Sequence, residues 1–517
     1  MTMTDLQLDT LEARGLIRVA ALHPELEYLF RHALLQDTAY GSLLKQERRA
    51  LHQVVGTTLE ELYPERLGEL AAVLAMHFEL AGDTAKAIEY LVAAAKFAVE
   101  RNAIVEGYDL YTRAAALLPA ATDDEDDSMR RKRVEIQLGR ARSGFTFMSE
   151  AQALEIVDSA IPDAKRLGDV RLEADVLLIS AMLRQFRHET PEDSGELEAE
   201  LERVSEIGRQ LNDPVIAALP DSLVGLVRVF TGELRSGVEL LERSAPQLEQ
   251  KHDFVGSSFA LVALAIGYAR LGEFDKGDEA ARNAAAVAEK GDVIARLDAM
   301  IGQATVHSLR GDLDLAVPIV TQCATDAETT GAVACVVASN YTLGDAFMRQ
   351  GRFEDARRAL ERGNEVAGAI AERQFRPSIT AYVRANAANL GEFGPNTPTF
   401  DEALAQTRAS GDRWGEANVI WKRAEVAAKR LALGMPASDD ERRQMLDDFE
   451  FATAAFERMG GRPFTARVLR GWGEVLRAQK RSEEGDEKLR QALALFEDMD
   501  ISREAAQVKA ELAEAQG

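Results

Sequence analysis

The chain has 517 residues, 46% of them apolar and only 6% aromatic, and a formal net charge of −25. An acidic balance of that size repels nucleic-acid phosphates and anionic membrane surfaces, so neither is an expected partner. No membrane-spanning run of about 18 apolar residues, no basic start or apolar core of a signal peptide at residues 1–8, and almost no strand-like β-branched alternation leave an all-α, cytoplasmic chain as the expectation.

Leu6, Leu8 and Leu11 give residues 5–14 one apolar helical face, which Gly15 ends. Residues 16–20 and 27–30 are short extended runs around His23 and Pro24, so a hairpin follows. Next comes Phe30-Arg31-His32-Ala33-Leu34-Leu35-Gln36-Asp37-Thr38-Ala39-Tyr40, then Leu43-Leu44, Arg48, Leu51-His52 and Leu59-Glu60. The pattern continues through Leu70-Ala71, Leu74-Ala75, His77-Phe78, Ala81-Gly82-Asp83 and Ala87. This run resembles the segment linking the ATPase module to the tetratricopeptide-repeat (TPR) region in bacterial multidomain signalling ATPases. Many of those carry a class III adenylate/guanylate cyclase domain, and others a DNA-binding regulator domain. The resemblance implies a winged-helix remnant at 1–33 and an N-terminal helical, TPR-like unit at 34–120. The family's phosphate loop, Gly-x-x-x-x-Gly-Lys-Ser/Thr, cradles phosphates on backbone amides. It is absent from this chain, so ATP binding and cyclase activity fall on no residue and no cofactor is expected. The reading is of a truncated or split product, or of a solenoid half that works alone.

Within 67–119, Gly82, Ala87 and Ala94, then Gly107, Ala114 and Pro119, mark two repeat units. Residues 121–128 (Ala-Thr-Asp-Asp-Glu-Asp-Asp-Ser) form an acidic break. A calcium loop needs a glycine at its sixth position and none is present, so the segment reads as a solvated loop. Arg130-Arg131-Lys132-Arg133 reads as a helix start balanced by Asp123–Asp127, not as a nucleic-acid patch. Residues 129–218 are helical but less regular. They contain a turn at Leu167-Gly168-Asp169, a polar loop at 188–195, and a break at Asn212-Asp213-Pro214.

From Leu219 to Trp414 the sequence repeats itself. Gly232, Gly272, Gly311, Gly351 and Gly391 are spaced by 40, 39, 40 and 40 residues, and Gly291, Gly331 and Gly411 form a second comb half a period later. Two turns per period mean two helices per period, which is an α-solenoid. Small residues stand five and twelve positions past the first comb: Gly237/Ser244, Gly277/Ala284, Ala316/Cys323 and Ala356/Gly363. Seven residues is two helical turns, so each pair shares a face on which the second helix can approach the first closely. Leu264-Ala265 and Tyr268 before Gly272, and Leu343-Gly344 and Phe347 before Gly351, complete a pattern that resembles the TPR. HEAT- or armadillo-like packing is the alternative. The expected fold is therefore a TPR-like right-handed α-solenoid with a period near 40 residues. Its main array spans 129–415, and C-terminal helical repeats and a cap span 416–517, the last helix (503–516) being polar on most faces.

Little points to chemistry. Histidines 23, 32, 52, 77, 188, 252 and 307 have no zinc-helix spacing, so no metal site is expected, and no Gly-x-Ser-x-Gly elbow occurs. Cys323 and Cys335 read as small packing residues in successive helices. Trp414 and Trp421 lie on one stripe, either core or an exposed binding strip. No catalytic residue is assigned, and the chain is read as a non-enzyme. The first helix of each pair builds a concave face suited to an extended peptide or helix, and helical phase places Arg270, Asn340, Asp345 and Arg349 on it. The expected function is a scaffold or sensor module in bacterial signalling or transcriptional regulation. Its partner would be a protein, for which the resemblance suggests a signalling ATPase or cyclase. Two alternatives stand: a part of such an ATPase or cyclase, or a small-molecule sensor with its ligand inside the superhelix.

Overall fold

The computed structural model describes residues 3–21, 27–101, 103–122, 124–145, 147–187, 191–250, 254–291, 293–369, 375–394 and 399–514. His23, His188 and His252, the start of the polar loop at 188–190, and residues 395–398 lie outside the described residues. The chain forms two compact units, Met1–Ala98 with Asp109–Ala120, and Val99–Tyr108 with Ala121–Gly517.

The elements begin with α1 (Met3–Ala13), β1 (Ile17–Ala21), β2 (Glu27–Phe30), α2 (Ala33–Ser42), α3 (Lys45–Leu62), α4 (Leu67–Ala81), α5 (Thr84–Glu100) and α6 (Ile104–Leu117). β1 and β2 pair antiparallel with Ile17 opposite Phe30, the hairpin expected after a glycine-terminated helix. The first unit's core lies on α4 and α5. Leu74, Ala75, Phe78 and Leu91 are fully buried, and Phe78 stacks on Tyr90 at 5.5 Å. Gly56 of α3 lets that ring sit against the backbone: a Cβ there would lie 2.9 Å from Phe78.

The second unit continues with α7 (Asp127–Gly144), α8 (Glu150–Asp158), α9 (Ile161–Leu167), α10 (Val170–Arg187), α11 (Pro191–Leu211), α12 (Pro214–Thr231), α13 (Leu234–Gln250), α14 (Phe254–Leu271), α15 (Phe274–Ala288) and α16 (Val293–Arg310). Then follow α17 (Leu313–Thr330), α18 (Val333–Arg349), α19 (Phe353–Ala369), α20 (Arg376–Asn389), α21 (Phe400–Ala409) and α22 (Arg413–Ala432). The last are α23 (Asp439–Met459), α24 (Arg462–Ala478), α25 (Ser482–Asp498) and α26 (Ser502–Glu514). Pro191–Gly195, expected in a loop, instead opens α11, a proline at the first helical position being compatible with helix. The arginine run starts α7 as expected. Arg133 pairs with Glu125 at 2.6 Å, while Arg130 reaches Asp163 at 2.9 Å.

The unit is an all-α, TPR-like α-solenoid. From α12 to α21 the helices of each pair are joined through the five first-comb glycines, by two-residue turns at Gly232, Gly272 and Gly311, and the five φ values lie between +74° and +106°. In that left-handed region a Cβ collides with the backbone, so glycine closes the last turn at least cost. All eight small residues of the spaced pairs are buried. At Gly237 a Cβ would stand 2.8 Å from the Gly225 carbonyl oxygen and 2.9 Å from the Val229 nitrogen, so the backbones of α12 and α13 touch.

The array also closes on itself. One apolar core contains residues of α12–α16 together with residues of α22–α26. Trp414 packs edge-on against Phe464 at 4.7 Å and Phe456 at 5.1 Å, and Trp421 is buried beside them, so the tryptophan stripe is core. Met459 lies against Gly232 and Met499 against Gly272, joining helix ends more than 220 residues apart in sequence. The expected absence of an 18-residue apolar run needs correction. By length and composition α12 could cross a membrane. It carries Asp221 and Arg228, however, and packs against α11, α13 and α14.

Candidate functional site

All four residues assigned to a concave face by helical phase sit on the first helix of a pair, Arg270 on α14 and Asn340, Asp345 and Arg349 on α18. Each of them bonds within the protein. Arg270, on the last turn of α14, donates from Nη1 to the carbonyl oxygens of Val229 (2.7 Å) and Phe230 (3.3 Å). Its guanidinium lies 4.2 Å from the Trp414 ring and 5.3 Å from that of Phe230, a stacked, desolvated position that brings its pKa down to about 10. The Asp412 carboxylate favours the charged guanidinium. It caps α22 by accepting from the Gly415 amide at 2.8 Å, and burial pushes it up to about 6 against the pull of Arg270. Tyr341, Tyr382 and Phe375 close this box, with Tyr341 edge-on to Tyr382 at 5.1 Å. Asn340 is buried and donates back to the Val336 carbonyl at 2.8 Å.

Arg349 ends α18 as Arg270 ends α14. Its Nη1 donates to the Ser308 carbonyl at 2.6 Å and lies 3.6 Å from Asp345, and its Nη2 pairs with Glu504 of α26 at 2.7 Å. Arg467 of α24 donates to the same Glu504 oxygen at 2.8 Å and to the Leu309 carbonyl at 2.7 Å. Burial alone would raise the Glu504 carboxyl. The two guanidiniums overcome it and hold the group at about 2. Glu504 with Ile501, Ala505 and Val508 makes α26 a clasp over the array, where the sequence suggested only a polar cap. Glu504, Arg467 and Asp412 escaped the sequence reading because their partners stand up to 158 residues away. The one available signal was an arginine two positions before the comb glycine, at 270 and again at 349.

The first unit differs. Fourteen of the nineteen large apolar side chains exposed among the described residues fall between Leu6 and Leu80. Leu51, Val54, Val55 and Leu62 on α3 and Val73, Met76 and Leu80 on α4 form two helical stripes, while α2 buries no residue and α3 only Gly56. A polar chain runs beside them. Tyr40 Oη is 2.9 Å from His52 Nε2, and His52 Nδ1 is 2.9 Å from His77 Nδ1. Burial, and then the neighbouring His52, lower the pKa of His77. His32 precedes α2 and makes no capping bond with its side chain. Among the described residues, no three His, Cys, Asp or Glu side chains are grouped to hold a metal ion. Cys323 and Cys335 are buried, and their thiols donate to the Leu297 carbonyl oxygen at 3.4 Å and to Asp298 at 3.6 Å.

No protein-family model matches the chain. An uncharacterised protein of Rhizobium meliloti (strain 1021) is 25% identical over 158 residues, which is 31% of this chain and 15% of that protein. The chain thus spans well under two thirds of that relative's length. Among solved structures, a Rap protein complexed with competence and sporulation factor is 14% identical, with a TM-score of 0.48 over 74% of this chain and 99% of the other. A STAND protein with a tetratricopeptide repeat sensor from Pyrococcus horikoshii is 13% identical, with a TM-score of 0.38 over 88% and 60%. The apo quorum sensor NprR from B. thuringiensis is 12% identical, with a TM-score of 0.39 over 70% and 98%.

Proposed function

We propose that the chain is a non-catalytic scaffold or sensor module that binds another protein, in the setting of bacterial signalling or transcriptional regulation. The observation that carries this reading is the exposed apolar surface of the first unit. An isolated monomer rarely leaves two adjacent helices with stripes of Leu, Val and Met in water, and such surfaces mark protein contacts. The inner face of the second unit supports a structural reading of its charged residues. Arg270 and Arg349 hold neighbouring turns of the array together, and the role of Arg270, Asn340, Asp345 and Arg349 in binding a partner is secondary to that.

The test uses Leu51→Glu and Met76→Glu, two exposed positions on α3 and α4. A protein that the wild-type chain retains stoichiometrically in a pull-down should be lost by both variants, with circular dichroism unchanged. Purified chain should show no stoichiometric ATP binding by calorimetry. Retention of the same partner by both folded variants, or one-to-one ATP binding by the chain alone, overturns the reading.

A further inference from the structure

In the first unit a single line of polar ring atoms joins three helices. Gly56, one turn after His52, admits the Phe78 ring to the backbone of α3, which brings α3 and α4 close enough for His52 and His77 to face each other. Their Nδ1 atoms are 2.9 Å apart and their ring planes are tilted by 48°. Tyr40 meets His52 edge-on from α2, with its Oη 2.9 Å from Nε2. The Arg48 guanidinium, one turn before His52, stands 5.2 Å from the centre of the Tyr40 ring. α2 itself buries no residue. Among the described residues, Tyr40 makes every side-chain hydrogen bond and ring contact that ties α2 to α3 or α4.

Proton counting decides what this line tolerates. A bond between two ring nitrogens needs a hydrogen on one and a lone pair on the other. With both rings neutral, His52 donates from Nδ1 to His77 and accepts from the Tyr40 hydroxyl, or both bonds run the opposite way. One added proton fits as well, because a His52 imidazolium donates to Tyr40 Oη on one side and to His77 on the other. A second does not fit. Both Nδ1 atoms would then carry hydrogens, and the two charged rings would face each other. Among the described residues, no carboxylate pairs with either ring to offset that charge. On α2, Asp37 is exposed. On α3, Glu47 accepts from the Leu44 amide at 2.8 Å, Glu60 holds Lys86 of α5 at 2.5 Å, and Arg48 adds positive charge. On α4, Glu79 pairs with Arg113 at 2.5 Å, and on α5, Asp83 accepts from Gln53 at 3.4 Å.

We propose that the Tyr40–His52–His77 line is an acid-released latch, which holds α2 on α3 and α4 while at most one of the two histidines is charged and frees it when both are. The direction of the pH response follows from the lowered pKa of His77. The folded chain takes up that proton less readily than the unfolded one, so the latch is whole above the ordinary value of 6.5 and weakens as pH falls below it. The device concerns the seating of α2 and stands whether or not the α3–α4 stripes bind a partner.

The full chain is followed by hydrogen-exchange mass spectrometry from pH 7.5 to pH 5.5, with rates corrected for the intrinsic pH dependence of amide exchange. Protection across α2 should fall by about fivefold or more over that range, while α12–α16 keep theirs. His77→Gln leaves a neutral amide that can still bond to His52, so its α2 should stay protected at pH 5.5. Tyr40→Phe removes the tie itself, and its α2 should exchange fast at both ends of the range with no pH step. If His77→Gln does not fold, His52→Gln serves the same purpose. Histidine-selective 13C NMR of the wild-type chain supplies a reading without substitution: a ring midpoint below 6.5 should coincide with the loss of α2 protection. Constant α2 protection between pH 7.5 and pH 5.5 overturns the inference, as does an unchanged pH step in the folded Gln variants. Loss of protection across the whole chain at once would be general acid unfolding and overturns it equally.

Discussion

Glu504 is the carboxylate on which two sequence-distant arginines converge, and it is nearly inaccessible to solvent. Removing one member of a buried ion cluster leaves the others as uncompensated charges, which costs about 3 kcal/mol or more. Glu504→Gln should therefore lower the urea midpoint at neutral pH through exposed strain at Arg349 and Arg467. The sign of the pH dependence follows from the depressed carboxyl. Its stabilisation is fully present above the ordinary value of 4.5 and is lost as pH falls from there towards about 2. Wild-type stability measured across that window should fall faster than that of Glu504→Gln. Parallel curves would show that the carboxylate is not the anchor. Asp412 acts with the opposite sign. Its folded pKa of about 6 means that the folded chain keeps a proton the unfolded chain has lost, so its contribution declines as pH rises from about 4 to 6.

At the scale of the helix pair, close approach decides stability. A methyl at Gly237 would press on the backbone of α12, and relief requires moving the helix itself. Gly237→Ala should destabilise by about 1–3 kcal/mol in thermal or urea unfolding. Gly195→Ala, exposed in α11 with open space around its Cα, should stabilise by roughly 0.5–1 kcal/mol. The pairs were legible because each leaves a local, periodic trace: a glycine where the chain must turn left-handed, and small residues seven apart where helices touch. The hairpin after Gly15 was legible on the same local grounds. The closing of the array was not. Its contacts, such as Arg270 on Trp414 and Arg349 on Glu504, join helices that share no period, and helical phase says which face a residue occupies without saying what covers it. Arg270 and Arg349 were placed on the inner face by phase, but their partners became visible only once α22–α26 lay against α12–α18.

For the second unit as a whole, the shared core changes how folding should propagate. In an open solenoid each repeat contacts its neighbours, and stability is close to a sum of nearest-neighbour terms. Here α12, α14 and α16 also rest on residues of α22–α26. Truncation after residue 437 should consequently reduce amide hydrogen-exchange protection in α12–α16, far from the cut, as well as in α22. Loss of protection confined to α20–α22 would indicate independent repeats. The aromatic cluster of Trp414, Phe456 and Phe464 should then report unfolding of both ends of the array with one fluorescence transition.

The Arg349–Glu504–Arg467 clasp also sets the mechanics of the molecule. Open helical repeats stretch as soft springs, each pair yielding in turn under a small load. A solenoid riveted between its eighteenth and twenty-sixth helices instead transmits tension across the rivet first. Little extension is available until those ion pairs part, and the repeats they bridge are then released together. Such a unit behaves as a stiff strut with a defined breaking point.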